Sequence, residues 1–190
     1  HKALDFAATV GSAAKRANVR RIIYNTCCWG PPEELGEVGQ AGYDSVRLMV
    51  NMLMQGGVQT TTFQPVLFMD NLLTNWARKD ILEKDLYTYP HNPNLEASWI
   101  CLDDVAKFMI AAIDRDDLVG RCINIGGPEV FVPPRVADLL SGHFGRPIKY
   151  EELGLEDFSN RLYDIFYKDT SEEDRGGRSA DREAFIDSMS

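Results

Sequence analysis

Short apolar or β-branched runs alternate with amphipathic helical stretches along this chain, and most gaps between runs are long enough to hold a helix. This spacing constrains the fold more than any single motif, because parallel strands need a crossover of about a dozen residues, usually a helix. The apolar positions Phe6, Val10, Ala13, Ala14 and Ala17 recur at helical spacing, with Asn18 as a stop. Val19 to Thr26 follows as an apolar strand running out into polar residues. After a Gly-Pro-Pro loop from 30 to about 39, residues 41 to 55 read as a helix with Val46, Met49, Val50 and Leu53 inward, closed by Gly56-Gly57. Val58 to Gln64, rich in threonine, reads as a second strand stopped by Pro65.

The second half continues the alternation. Met69 to Ala77 is expected to be helical and Leu86 to Tyr89 a short strand before the turn from Pro90 to Pro93. A helix over about 102 to 114 presents Val105, Phe108, Met109 and Ala112 inward, with Asp103 and Asp104 in its first turn. Cys122 to Ile125 is a strand, and Pro133 or Pro134 opens a helix with Val136, Leu139 and Leu140 inward and Gly145 as its cap. Ile148 to Tyr150 reads as a small strand and Glu156 to Tyr167 as the last helix. The pattern predicts an α/β protein on a parallel sheet.

Composition narrows the function classes. The net charge of −9 argues against nucleic acid as a partner, since phosphate contacts need clustered Lys and Arg. No window has the roughly 18 consecutive apolar residues of a membrane span, and no basic-then-apolar leader opens the chain. Acidic residues outnumber basic ones from Asp169 to Ser190, which reads as a solvated or disordered tail. Cys27, Cys28, Cys101 and Cys122 form no CxxC pair, and His1, His91 and His143 are scattered, so no metal site is expected. Free thiols fit a reducing compartment, hence a cytoplasmic protein.

The segments VRRIIYNTC (19–27), GVQTTTFQP (57–65), LFMDNLL (67–73), SWICLDDVAKF (98–108), INIGGPE (123–129) and GRPIKY (145–150), with the helix from Gly42 to Gly56, resemble the NmrA-like group of atypical short-chain dehydrogenase/reductases. The resemblance covers about residues 3 to 155. It implies an NAD(P)-binding Rossmann-like parallel sheet, here lacking its N-terminal strands, with a small C-terminal α/β substrate lobe. Residues 1–80 would form the second half of the NAD(P)-binding domain and 81–168 the substrate lobe, with elements returning to the sheet. Residues 169–190 would be the acidic tail. The glycine-rich turn that holds the pyrophosphate at a helix N-terminus in such folds is absent. Gly126-Gly127 does not replace it, as no GxGxxG spacing follows. NAD or NADP is therefore expected as cofactor only with a preceding N-terminal segment in place.

The same resemblance assigns roles. Asn25, Thr26 and Cys27, at the carboxyl end of the first strand, match positions near the nicotinamide ribose, although strand capping would explain them too. Pro65, Val66, Leu67 and Phe68 match the backbone beside the nicotinamide ring, with core packing as the alternative. Read as the YxxxK pair of these reductases, Tyr43 and Arg47 lie four apart on one helix face. Counted back from Pro65, the lysine position falls on Val46. Either way the lysine is missing, and Arg cannot release a proton. Cys27-Cys28 as a redox site, Asp103-Asp104 as a metal pair and His91 as a substrate contact are each outweighed by structural readings. Trp99 and Ile100 are expected to pack the substrate lobe against the sheet. Three functions follow: an NAD(P)-dependent oxidoreductase acting on a small organic molecule; a non-catalytic redox sensor; or a fragment whose exposed sheet edges need a partner chain or homodimer.

Overall fold

The computed structural model describes residues 2–26 and 41–167. Cys27, Cys28, the loop from 30 to 39 and the tail from 169 to 190 lie outside the described residues. The chain divides into two compact units, His1–Phe68 with Trp99–Pro128, and Met69–Ser98 with Glu129–Ser190.

The first unit is built on α1 (Lys2–Arg16), β1 (Arg21–Asn25), α2 (Ala41–Gln55), β2 (Gln59–Pro65), β3 (Leu67–Phe68), α4 (Leu102–Ala111) and β6 (Cys122–Ile125). Strands β1, β2 and β6 form a parallel sheet in that order, in register from Arg21↔Gln59 to Asn25↔Phe63 and from Thr62↔Cys122 to Pro65↔Ile125. The sequence alternation therefore gives the parallel α/β sheet it predicts. The core gathers Phe63, Ile100, Val105, Ala112 and Ile125. Thr60, Thr61 and Thr62 are all but fully buried on β2. Branched side chains suit a strand, and two of these hydroxyls find carbonyl acceptors. Thr60 Oγ1 donates to Val58 O at 2.9 Å, and Thr61 Oγ1 to Leu118 O at 2.9 Å.

Arg21 ties the start of β1 to the end of α4. Its guanidinium donates to the carbonyls of Ala112 (3.0 Å) and Ile113 (2.7 Å), just past the end of α4, and pairs with Asp116. Asn18, at φ 53°, ends α1 as expected, with the Val19 N–H bonded to Ala14 O at 2.9 Å.

The second unit holds a 3-10 turn (Met69–Leu73), α3 (Asn75–Lys84), β4 (Leu86–Tyr89), the first half of β5 (Ala97–Ile100), β7 (Val130–Phe131), α5 (Pro133–Phe144), β8 (Lys149–Glu152) and α6 (Leu155–Tyr167). Strands β4 and β8 pair in parallel from Leu86↔Lys149 to Tyr89↔Glu152, and β5 pairs antiparallel with β7 through Ala97↔Phe131 and Ser98↔Val130. The other half of β5 pairs with β3 in the first unit, Leu67↔Trp99 and Phe68↔Ile100.

Three expectations are corrected. Met69 to Ala77 is not one helix. Thr74 takes an extended backbone, ψ 156°, and its hydroxyl donates back to Asn71 O at 2.6 Å, closing the 3-10 turn and starting α3 afresh. Phe108 and Leu139, expected inward, are 45% and 44% exposed. Each helix buries only a narrow seam, Val105 on α4 with Ala112 capping it, Val136 and Ala137 on α5, and both side chains fall beside it. On α1 the buried residues are Ala7 and Gly11, on a helix that packs against α2, while Phe6 is 67% exposed.

Candidate functional site

The parallel registers bring the carboxyl ends of β1, β2 and β6 to one edge, where open α/β sheets take ligands. Asn25 ends β1 opposite Phe63. Thr26, 5% exposed, clasps the neighbouring strand: its N–H donates to Phe63 O at 3.1 Å and its hydroxyl to the same oxygen at 3.3 Å. Pro65 ends β2 opposite Ile125, and the Val66 N–H donates to Ile125 O at 3.2 Å. Leu67 and Phe68 continue as β3, half-buried. Asn25, Thr26 and the segment from Pro65 to Phe68 thus sit where neighbouring strands end, while Cys27 lies outside the described residues.

These side chains are all uncharged. That donor set suits a ribose hydroxyl and a planar ring, which need hydrogen-bonding backbone and apolar walls rather than a buried charge. It offers nothing for a diphosphate. Gly126-Gly127 runs on through Pro128 to the short strand β7, not into a helix N-terminus. Gly127 is there for packing, since a Cβ on it would stand 2.1 Å from the Trp99 carbonyl oxygen. Among the described residues at these strand ends, neutral groups could bond a ribose, and no glycine-rich turn into a helix is present to hold a diphosphate.

Tyr43 lies in the first turn of α2 and is 39% exposed. Arg47, one turn later, has its guanidinium 3.4 Å from the Asp44 carboxylate on the same helix. Val46, the other position for the family lysine, is half-buried. The helix thus presents a phenol and an arginine already drawn towards a carboxylate. In the first turn of α4, Asp104 takes a 2.7 Å bond from Lys107, which together with Cys101 holds its carboxyl below the usual range. Those contacts describe a helix start.

Sequence reading missed a second polar centre, in the other unit. Asp80, 5% exposed, accepts from Lys84 (2.8 Å) on one oxygen and from Arg161 (2.7 Å) on the other. Burial pushes its pKa up, but the Lys84 hydrogen bond and the Arg161 charge outweigh burial and hold it below the usual carboxylate value. Arg161 also donates to Trp76 O (3.0 Å) and Thr88 Oγ1 (2.9 Å), so one nitrogen ties α6 to α3 and β4. The four-residue spacing of Asp80 and Lys84 was the one local signal for this cluster. Around it pack Trp76, Tyr87, Tyr89, Tyr150 and Phe158, with His91 edge-on to Tyr89 at 4.2 Å. Burial lowers the His91 pKa, and it pushes Tyr150 up to about 12 with help from the charge of Glu152.

Comparison with known proteins bears on the family and the fold. The sequence pattern of the NmrA-like family matches residues 4–173. An NAD(P)H azoreductase of Xenophilus azovorans is 27% identical over 145 residues, which cover 76% of this chain and 48% of that protein. Among solved structures, the NADPH-dependent quinone oxidoreductase QOR2 of Escherichia coli, complexed with NADPH, aligns with a TM-score of 0.67 at 19% identity, covering 84% of this chain and 54% of that one. A nucleoside-diphosphate-sugar epimerase of Staphylococcus aureus aligns at 0.66 and 20% identity, covering 96% and 58%. These structural likenesses establish a Rossmann-like α/β fold. The chain spans about half the length of the azoreductase it matches.

Proposed function

The chain belongs to the NmrA-like family, and on that premise we propose that it is the nicotinamide-side portion of an NAD(P)-dependent oxidoreductase acting on a small organic molecule. The observation that carries this reading is the meeting of three parallel strand ends, clothed in neutral residues, at one edge of the sheet. When bound, the cofactor supplies a hydride from its nicotinamide C4. The backbone from Pro65 to Phe68 would flank the ring, and Asn25 and Thr26 the ribose. Tyr43 is the candidate proton donor to the substrate atom opposite the hydride; being part-exposed, it can recover its proton from solvent. Arg47 would steady ribose or phosphate and takes no part in proton transfer. A cytoplasmic setting accords with the free thiols of Cys101 and Cys122.

NADPH is the test. Titration of the chain in its full reading frame should change nicotinamide fluorescence, and NADPH should be oxidised across a panel of quinones, azo compounds and carbonyls, with Tyr43→Phe lowering turnover more than cofactor affinity. An absence of NADPH and NADH binding by that protein would sink the reading.

Two observations favour other readings. The Arg47–Asp44 pair where a lysine is expected suits a redox sensor, which would bind NADPH without consuming it. Among the described residues β1 pairs only with β2, leaving an open strand edge, and Phe6 stands exposed on α1. An edge and an apolar face of this kind call for covering by further chain, a partner or a second copy.

A further inference from the structure

Helices α3 and α6 of the second unit border an open cleft of about 340 Å³. Trp76 and Ile165 give it apolar walls, and Lys79, Lys84, Arg161, Asp80 and Asp164 bring charge to it. The cations outnumber the carboxylates by one, on a chain whose net charge is −9. Both Asp80 oxygens are already bonded, to Lys84 and to Arg161, and Asp164 is likewise engaged. The donors are less occupied. All three Arg161 hydrogen bonds leave from one nitrogen, Nη1. Its Nε and Nη2 have no acceptor among the described residues, and the Lys79 ammonium has no ion-pair partner there. Asp80 and Thr88 hold the Arg161 guanidinium in place, so its outer face is preorganised rather than free to swing.

We propose that this cleft binds a small organic anion, a phosphate monoester or a carboxylate. Its oxyanion would lie between Lys79 and the outer face of Arg161, and its apolar part against Trp76 and Ile165. Charge-assisted bonds from two cations fix the anion, and a planar guanidinium matches two oxygens at once. The volume admits a ligand of about one ring plus its anionic group, at the small end of pockets that hold organic ligands. The site stands apart from the cofactor reading, because no residue in it belongs to the strand ends of the first unit.

The test needs no cofactor, so its failure would leave the oxidoreductase reading untouched. The full chain, labelled with nitrogen-15, is titrated with phenyl phosphate, benzoate and inorganic phosphate, each against sodium chloride at equal ionic strength, following the indole N–H of Trp76. A saturable shift is expected with at least one aromatic anion and not with chloride. Lys79→Gln should weaken that binding about tenfold and Lys79→Glu abolish it. Both variants should keep the parent's melting temperature, since Lys79 is exposed and has no ion-pair partner among the described residues. Whichever aromatic anion binds more tightly names the class. Shifts that chloride reproduces, or an unchanged dissociation constant in Lys79→Glu, would overturn the site. Aromatic anions no tighter than inorganic phosphate would overturn the role of the apolar walls.

Discussion

The two units each bury the middle of a strand studded with hydroxyls, but they accommodate the polar atoms in opposite ways. In the first, Thr60 and Thr61 on β2 turn to nearby backbone carbonyls, and the one buried charged side chain among the described ion pairs, Arg21, meets an Asp116 that stays exposed. In the second, Tyr87, Thr88 and Tyr89 on β4 lie beside a buried carboxylate, and Thr88 shares Arg161 with Asp80. Neutral hydroxyl-to-carbonyl bonds are modest and local. A buried ion pair is costly to form and costlier to break, because removing one partner strands the other's charge. The first unit should therefore respond to changes of shape, and the second to changes of charge.

Arg161→Leu is the sharpest break. Among the described residues it removes the only cation that reaches both Asp80 and Thr88 and leaves Asp80 to Lys84. The expected loss is about 3 kcal/mol, towards the lower end of buried-pair breakage because Arg161 is partly exposed. Urea unfolding followed at the Trp76 signal reads the second unit, and Trp99 the first. An equal fall at both, or none at Trp76, would erase the contrast.

Gly127→Ala tests the first unit by shape. With a Cβ 2.1 Å from a backbone oxygen, no side-chain rotation relieves the clash, so the chain after β6 or the strand β5 has to move. Overpacking of this kind costs about 2–3 kcal/mol, expected at Trp99. A stable Gly127→Ala protein would show that this stretch yields easily.

Acid separates the units by a smaller margin. Asp80 has a folded-state pKa below its unfolded value of 3.8. Its contribution is therefore complete above that value and lost as pH falls through the depressed folded one. His91, lowered by burial, adds a loss in the same direction, beginning as pH drops below its ordinary 6.5. In the first unit the depressed carboxyls of Asp104 and Asp117 belong to exposed pairs with Lys107 and Arg115, which are worth little. Melting between pH 7 and pH 3 should lower the Trp76 midpoint more than the Trp99 midpoint, and Arg161→Leu should narrow the gap.

The legibility of the sequence follows the same divide. The strands β1, β2 and β6 and the helix α2 could be read from periodicity and punctuation, because local pattern and tertiary role agree there. The two-residue strands β3 and β7 carry no period to read, and β5 divides its pairing between the two units. The restart of the helix at Thr74 depends on one hydroxyl turning back to Asn71. The Asp80–Arg161 contact joins residues 81 apart in sequence, so no local spacing announces it. The strand ends at Asn25 and Pro65 could be located because polar residues and a proline mark where β1 and β2 stop. The charged cleft was missed because its members come from two helices distant in sequence.

The smallest effect carries the most specific sign. Tyr87 is fully buried, and its hydroxyl has no hydrogen-bond partner among the described residues, although its ring packs on Tyr89 and Tyr150 at 6.2 and 5.4 Å. A buried donor without an acceptor costs free energy, whereas deleting it leaves the ring's packing in place. Tyr87→Phe should therefore leave the second unit unchanged or raise its stability by up to about 1 kcal/mol. In the first unit the matching deletion, Thr61→Val, removes a hydroxyl that bonds Leu118 O at 2.9 Å and should cost about 1 kcal/mol. Opposite signs at two equally buried hydroxyls would tie stability to the presence of an acceptor rather than to burial. A loss on Tyr87→Phe would mean that its hydroxyl is satisfied in solution, a role that a buried water bound near Tyr87 would fill.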